Sequence, residues 1–268
     1  YYDEPLADSS CIPTFILSEM TASYLKVVLS GDGGDEVFGG YNWYDTYLSD
    51  YRNYFNSCFS WVKSLFNTTN VLPDFEEYYN KLLLNRFNKD VFKNLFIPDI
   101  FDKVFEKDEN LYEKYICSDF KCIRTLQYID MNTFMVDDIL VKVDRASMAH
   151  SLEVRVPFLD HEFVESVLCL PEEIYPSDST GKPVLKKIMK GLLPDEIFSR
   201  TKQGFSAPLN KWSGFNSISE EIINGALIRD KIINMSFIED LKEQKYVNSD
   251  AIMWMIFIFE KWYRRWGR

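Results

Sequence analysis

Apolar and aromatic positions recur every three or four residues through most of this chain, which is the period of a helix with one buried face. From Tyr41 to Phe66 the stripe runs through Trp43, Tyr44, Tyr47, Tyr51, Tyr54, Phe55, Cys58, Phe59 and Val62. Core packing accounts for such spacing better than an aromatic box for a cofactor. Further helices are predicted over Thr14–Ala22, Phe75–Phe87, Asp99–Phe105, about Glu109–Ile139, Asp160–Cys169, Lys182–Leu192, Ile218–Asn224, Ile238–Lys245 and Ser249–Arg265. Pro171, Pro176, Pro183, Pro194 and Pro208 punctuate the connections. Asp3–Ser10 and Asn67–Asp74 read as loops.

One short segment breaks this rhythm. Lys26–Leu29 is an apolar, β-branched run that stops at Ser30-Gly31-Asp32-Gly33-Gly34-Asp35-Glu36. A buried strand entering a glycine-rich turn, with a helix opening at Glu36–Phe38, is the natural reading. The strands are few and early, so the fold class is α/β, mostly helical, with most of its sheet expected from sequence outside this chain. There is no internal repeat or low-complexity tract.

Composition narrows the partners. The 268 residues suffice for one large domain or two small ones, and 46% are hydrophobic. Phe 21, Tyr 16 and Trp 6 make rings the main core material. A net charge of −11 disfavours nucleic acid and anionic membrane as partners. It leaves ATP open, because backbone N–H groups and Mg²⁺ can hold phosphate on an acidic protein. Cys11, Cys58, Cys117, Cys122 and Cys169 are scattered, and His150 and His161 are the sole histidines. That disfavours zinc and disulfides and suggests reduced, mostly buried thiols in a cytoplasmic protein. The longest apolar run, Ala251–Phe259, is too short to cross a membrane, and no signal peptide opens the chain. The start on Tyr1-Tyr2-Asp3-Glu4-Pro5, with no initiator Met, is expected of a piece of something longer.

Three segments could carry chemistry. In Ser30–Glu36, glycines let backbone N–H groups approach an anion, the helix start adds partial positive charge, and the Ser30 hydroxyl can donate to a nucleotide. Mg²⁺ would reconcile the aspartates with phosphate. The same residues could be a ligand-free turn between strand and helix, and no Gly-Lys-Ser/Thr follows to make them a Walker loop. Val136–Asp160 interleaves Asp137, Asp138, Lys142, Asp144, Arg145, Glu153, Arg155 and Asp160 with apolar positions. Charges placed so are costly to bury unpaired, so an ion-pair network is expected, with Glu153 the residue most open to a role in a site. Arg200-Thr201-Lys202-Gln203-Gly204-Phe205 is a loop with Trp212 nearby. Anchored, Lys202 could stabilise charge on a phosphoryl group; otherwise it is a solvated lysine.

Together these segments resemble the asparagine synthetase family. SGDGGDE fits its SGxGxDE pattern, Asp138–Asp160 fits DxxxKxDRxSMAxSxExRxPFLD, and Arg200–Phe205 fits RxKxxF, in the family's order. The match runs from near residue 1 to about Trp212. The resemblance implies an adenine-nucleotide α-hydrolase-like (PP-loop ATPase) domain over 1–268, with the nucleotide strand, loop and helix in 1–66 and a helical part in 67–268. It implies Mg-ATP-dependent adenylation of aspartate and displacement of AMP by ammonia, which a glutaminase domain in cis releases from glutamine. By resemblance, Ser30, Gly31 and Gly33 contact ATP, Asp35 binds Mg²⁺, and Asp32, Lys202 and Glu153 are catalytic. Asp32 stands where the family usually has Glu. The family's upstream SGGxDS pyrophosphate loop and its glutaminase cysteine find no match, so this chain alone is expected to be inactive or nearly so. Exposed sheet surface would favour self-association, a homodimer included. Two other readings stay open: a sister synthetase of the β-lactam or peptide-cyclising type acting on another carboxylate, with Glu153 in a Tyr–Glu pair, and a non-catalytic nucleotide-binding relative.

Overall fold

The computed structural model describes residues 1–46, 89–105, 113–115, 123–171, 174, 181–200, 204–211 and 215–267. The predicted helix Phe75–Phe87, most of the stripe Tyr41–Phe66, Cys58, Cys117, Cys122, Lys202 and Trp212 lie outside them. The chain divides into two compact units: residues 1–17, 79–110 and 205–268, and residues 18–78 and 111–204.

The first unit is helical. It takes the start of α1 (Cys11–Ala22), then α3 (Lys89–Leu95), α4 (Pro98–Phe105), α10 (Phe215–Ile223), α11 (Ala226–Arg229), α12 (Met235–Lys242) and α13 (Ser249–Trp266). α1 begins three residues before the predicted Thr14, because Pro13 in a first helical turn forfeits no hydrogen bond. Ile222, Leu227, Ile238, Leu241 and Ile252 centre the core, each almost fully buried. Trp254 donates its indole N–H to the Ala7 carbonyl at 2.9 Å, and Trp262 to that of Asp3 at 2.8 Å, tying α13 to the residues before α1.

Glu260 is 0% exposed within this core. Its carboxylate accepts from Ala226 N at 2.7 Å and Leu227 N at 2.8 Å, and the Arg264 guanidinium donates to it one turn on. These N–H groups open α11 and have no intrahelical partner, so the buried carboxylate caps them. A Cβ at Gly225 would stand 2.5 Å from the Glu260 Cδ.

The second unit holds the sheet, the glycine-rich loop and the Val136–Asp160 segment. β1 (Val27–Leu29) pairs in parallel with β2 (Glu153–Arg155), Val27 facing Glu153 and Leu29 facing Arg155. α2 (Gly34–Phe38) follows β1. Between the strands come α5 (Ile123–Asn132), a π-helical turn (Met135–Leu140) and α6 (Val141–Met148), and after β2 come α7 (His161–Leu168), α8 (Pro183–Met189) and α9 (Asp195–Ser199). The strands are therefore not confined to the early chain. At three residues and half charged, β2 carries too short an alternation to register as a strand. The predicted helix to Ile139 continues instead to Met148 through the π turn, since neither Gly nor Pro occurs between Phe134 and Ser151. Ser151, at φ 56°, ends it.

Among the described residues no helix is long and apolar enough to cross a membrane. Cys11 is half-buried, whereas Cys169 is exposed just past the end of α7, against the expectation of buried thiols.

Glu260→Ala should lower the stability of the protein by about 3–5 kcal/mol, since it strands two buried N–H groups and a guanidinium. Denaturant unfolding monitored by tryptophan fluorescence reads this as a lower midpoint.

Candidate functional site

The candidate site is built on the carboxyl end of β1. The Ser30 amide donates to the Arg155 carbonyl at 2.8 Å, so the glycine loop starts where the two-stranded ladder ends. In open α/β sheets ligands bind outside this end of the strands. The Ser30 hydroxyl donates to the Asp32 carboxylate at 2.6 Å. Two residues predicted to touch nucleotide and substrate are thus brought together. Gly31 is exposed beside them.

Gly33 turns the chain into α2 with φ 83°, a left-handed conformation that favours glycine. A Cβ there would also fall 2.1 Å from Leu159 Cδ2. The loop therefore lies directly on the Pro157-Phe158-Leu159 turn, and Phe158 packs edge-on against Phe38 with ring centres 5.7 Å apart. Asp160 caps α7 by accepting from Phe163 N at 3.1 Å, which gives it a structural role. α2 has only five residues. The helix-end charge expected from the sequence shrinks accordingly to a few backbone N–H groups.

Behind the loop lies a buried polar cluster. Gln127, fully buried, donates from its amide nitrogen to the carbonyls of Glu36 at 2.8 Å and Val37 at 2.9 Å, satisfying the end of α2. Asp130, also fully buried, accepts from Tyr44 at 2.5 Å and from the Trp43 indole at 3.1 Å. Tyr41 stacks on Trp43 with centroids 3.9 Å apart and donates its hydroxyl to Glu36. Burial raises the Glu36 carboxyl above its ordinary range; the Tyr41 bond opposes this and the nearby Asp35 and Asp130 add to it. The Tyr41 phenol is pushed up too, by burial first and then by Glu36.

Asp35 leaves α2 on the other side. Its Oδ2 stands 3.0 Å from the Lys182 ammonium, both side chains being about 30% exposed. A Cβ at Gly40 would meet Asp35 Oδ1 at 2.1 Å and Lys182 Cε at 2.7 Å. The Lys182 amide points to the Gly39 carbonyl at 3.5 Å. In the sequence Lys182 is simply the start of a predicted helix. Its one signal is the Gly181-Lys182-Pro183 run, in which both Gly181 and Lys182 adopt positive φ. A magnesium ion takes one or two carboxylates and fills its shell with water and phosphate. Asp35 offers a donor of that kind, and among the described residues no cluster of three or more metal-ligating side chains adds to it.

Glu153 sits at the amino end of β2, in register with Val27, two residues before the end at which Ser30 lies. It is exposed and paired with Arg155 at 2.7 Å, as side chains two apart on one strand face can be. Asp32, Asp35 and Ser30 are thus grouped at the loop, while Glu153 stands further down the ladder.

Two tests follow. Gly33→Ala should cost about 1–3 kcal/mol in unfolding free energy from strain and overlap with Leu159. A carboxyl held protonated by burial favours the folded state at low pH and loses that advantage as pH rises through its raised value. Glu36→Gln should therefore gain stability relative to the parent between about pH 4 and about pH 7, measured by urea unfolding at both ends.

Comparison with known proteins sets this geometry in context. The family model described as asparagine synthase matches residues 1–264. Asparagine synthetase [glutamine-hydrolyzing] 1 of Bacillus subtilis (strain 168) is 30% identical over 98% of this chain and 44% of its own length. Asparagine synthetase [glutamine-hydrolyzing] 3 of the same organism is 36% identical over 67% of this chain and 26% of its own. The Rattus norvegicus asparagine synthetase [glutamine-hydrolyzing] is 44% identical over 25% of this chain and 12% of its own. The chain spans less than half the length of these relatives. It belongs to the asparagine synthase family.

Proposed function

We propose that the protein is an ATP-dependent amide ligase that converts aspartate to asparagine. The observation that carries this reading is the glycine loop at the end of β1, where Ser30 bonds Asp32 and the chain turns at Gly33, which leaves no room for a side chain, into the helix that carries Asp35. The domain is of the PP-loop ATPase type, and the chemistry is adenylation. An oxygen of the aspartate side-chain carboxylate attacks the α-phosphorus of ATP and pyrophosphate leaves. Ammonia then attacks the acyl carbon, a proton is lost, and AMP leaves with the oxygen it gained.

In this reading Ser30, Gly31 and Gly33 line the nucleotide, and Asp35 would hold Mg²⁺. The ion would supply positive charge against the phosphates. Asp32 orients the reacting carboxylate's surroundings through its bond with Ser30. Lys202 meets the charge developing on the phosphates; base work by Glu153, which here is exposed and paired with Arg155, belongs to the sister-synthetase reading, in a Tyr–Glu pair. Ammonia comes from glutamine through a glutaminase domain carried in the same protein, and the enzyme works in the cytoplasm.

The test is pyrophosphate release from Mg-ATP by the protein in its full natural chain, with ammonia supplied and aspartate compared against other carboxylic acids. Aspartate-dependent release with asparagine formed is expected. Release with a different acid would reassign the protein to a sister synthetase, and none with any acid would favour a nucleotide-binding role. Lys202→Ala should lower the rate about 10²- to 10³-fold, the usual loss when one preorganised charge stabiliser is removed.

A further inference from the structure

We propose that Lys182 is a positioning residue that competes with a divalent cation for Asp35. The proposal rests on the reading of Asp35 as a cation ligand. Its ground is the fit of the lysine to the nucleotide loop. Lys182 opens α8 from a left-handed conformation, with φ 57°, directly after Gly181 at φ 59°. Its stem passes Gly40, where a Cβ would come within 2.7 Å of Cε, and its ammonium arrives 3.0 Å from Asp35 Oδ2 and 3.4 Å from where a Cβ of Gly34 would stand. Gly40 thus leaves a slot, bordered by Gly34 at the start of α2, for an unbranched cationic side chain that ends on one carboxylate.

Such a pair does two things. It holds the Asp35 carboxylate in place while no cation is bound, and it ties the 181–183 turn to the loop that follows β1. A cation reaching Asp35 meets a like charge and must displace it. The lysine therefore weakens cation binding and keeps the carboxylate from collapsing elsewhere. A purely structural lysine would act in the opposite sense, since its loss would disorder the ligand and weaken binding.

Manganese titration followed by the spin-resonance signal of the free ion tests this on the full natural chain without ATP. Lys182→Met and Lys182→Gln should each bind Mn²⁺ about fivefold more tightly than the parent, the scale of a partly exposed charge pair. Adding Asp35→Asn to either variant should abolish the gain. Circular dichroism establishes that each variant is folded. Affinity that is unchanged or weaker in both folded lysine variants, binding undetectable in all of them included, overturns the proposal. The readout uses neither aspartate nor ATP, so it stands or falls separately from the assignment of the reaction.

Discussion

Side-chain-free backbone at one position on either side of α2 is the constraint on which the rest of the candidate site depends. At Gly33 the chain turns through φ 83° with Leu159 2.1 Å from any added Cβ. At Gly40 an added Cβ would strike Asp35 and Lys182 together. Between them lies α2, whose first turn exposes Asp35 to one side and buries Glu36 on the other. Because Leu159 and Phe158 come from the turn after β2, the loop after β1 and the turn after β2 are fixed against each other at the carboxyl end of the ladder. That is how residues far apart in sequence become one surface.

The buried polar groups behind the loop serve the same end. Gln127 pairs with the buried Glu36 and Val37 carbonyls at the end of α2, and Asp130 gathers Tyr44 and Trp43. Each buried donor and acceptor so paired escapes the penalty of desolvation without a partner, and a satisfied network allows one arrangement where an apolar core would allow several. In the other unit Glu260 plays a comparable role at the start of α11. Both units thus place an essential carboxylate or amide at a helix end inside apolar packing.

Much of this was legible in the sequence for physical reasons. α13 matches its periodic stripe because eighteen residues of amphipathic pattern outweigh local noise. α7 was legible from its apolar spacing, although Asp160, read as part of the helix and of an ion-pair network, proves to be its cap. The strand at Val27–Leu29 and the loop after it were visible because glycine and aspartate end an apolar run abruptly, but the strand is not buried as expected: with one neighbour in the ladder among the described residues, Val27 and Leu29 are exposed. β2 was not, since Glu153-Val154-Arg155 looks like a fragment of a charged segment until a partner strand is known. The Lys182–Asp35 pair joins positions far apart in sequence, and no local pattern encodes it. Asp130 and Gln127 likewise lay inside an ordinary helical stripe, and their importance comes from what α2 presents to them. Lys202 falls outside the described residues, so its part in the site rests on the motif alone.

The central claim is that the carboxylate is activated by transfer of the AMP moiety of ATP to its oxygen, with loss of pyrophosphate. Aspartate labelled with ¹⁸O in its side-chain carboxylate, turned over with ATP and ammonia by the full natural chain, tests this through the mass of the nucleotide product. The account predicts AMP carrying one ¹⁸O atom and unlabelled pyrophosphate. Label in inorganic phosphate with ADP as the nucleotide product would mean an acyl phosphate and would contradict it.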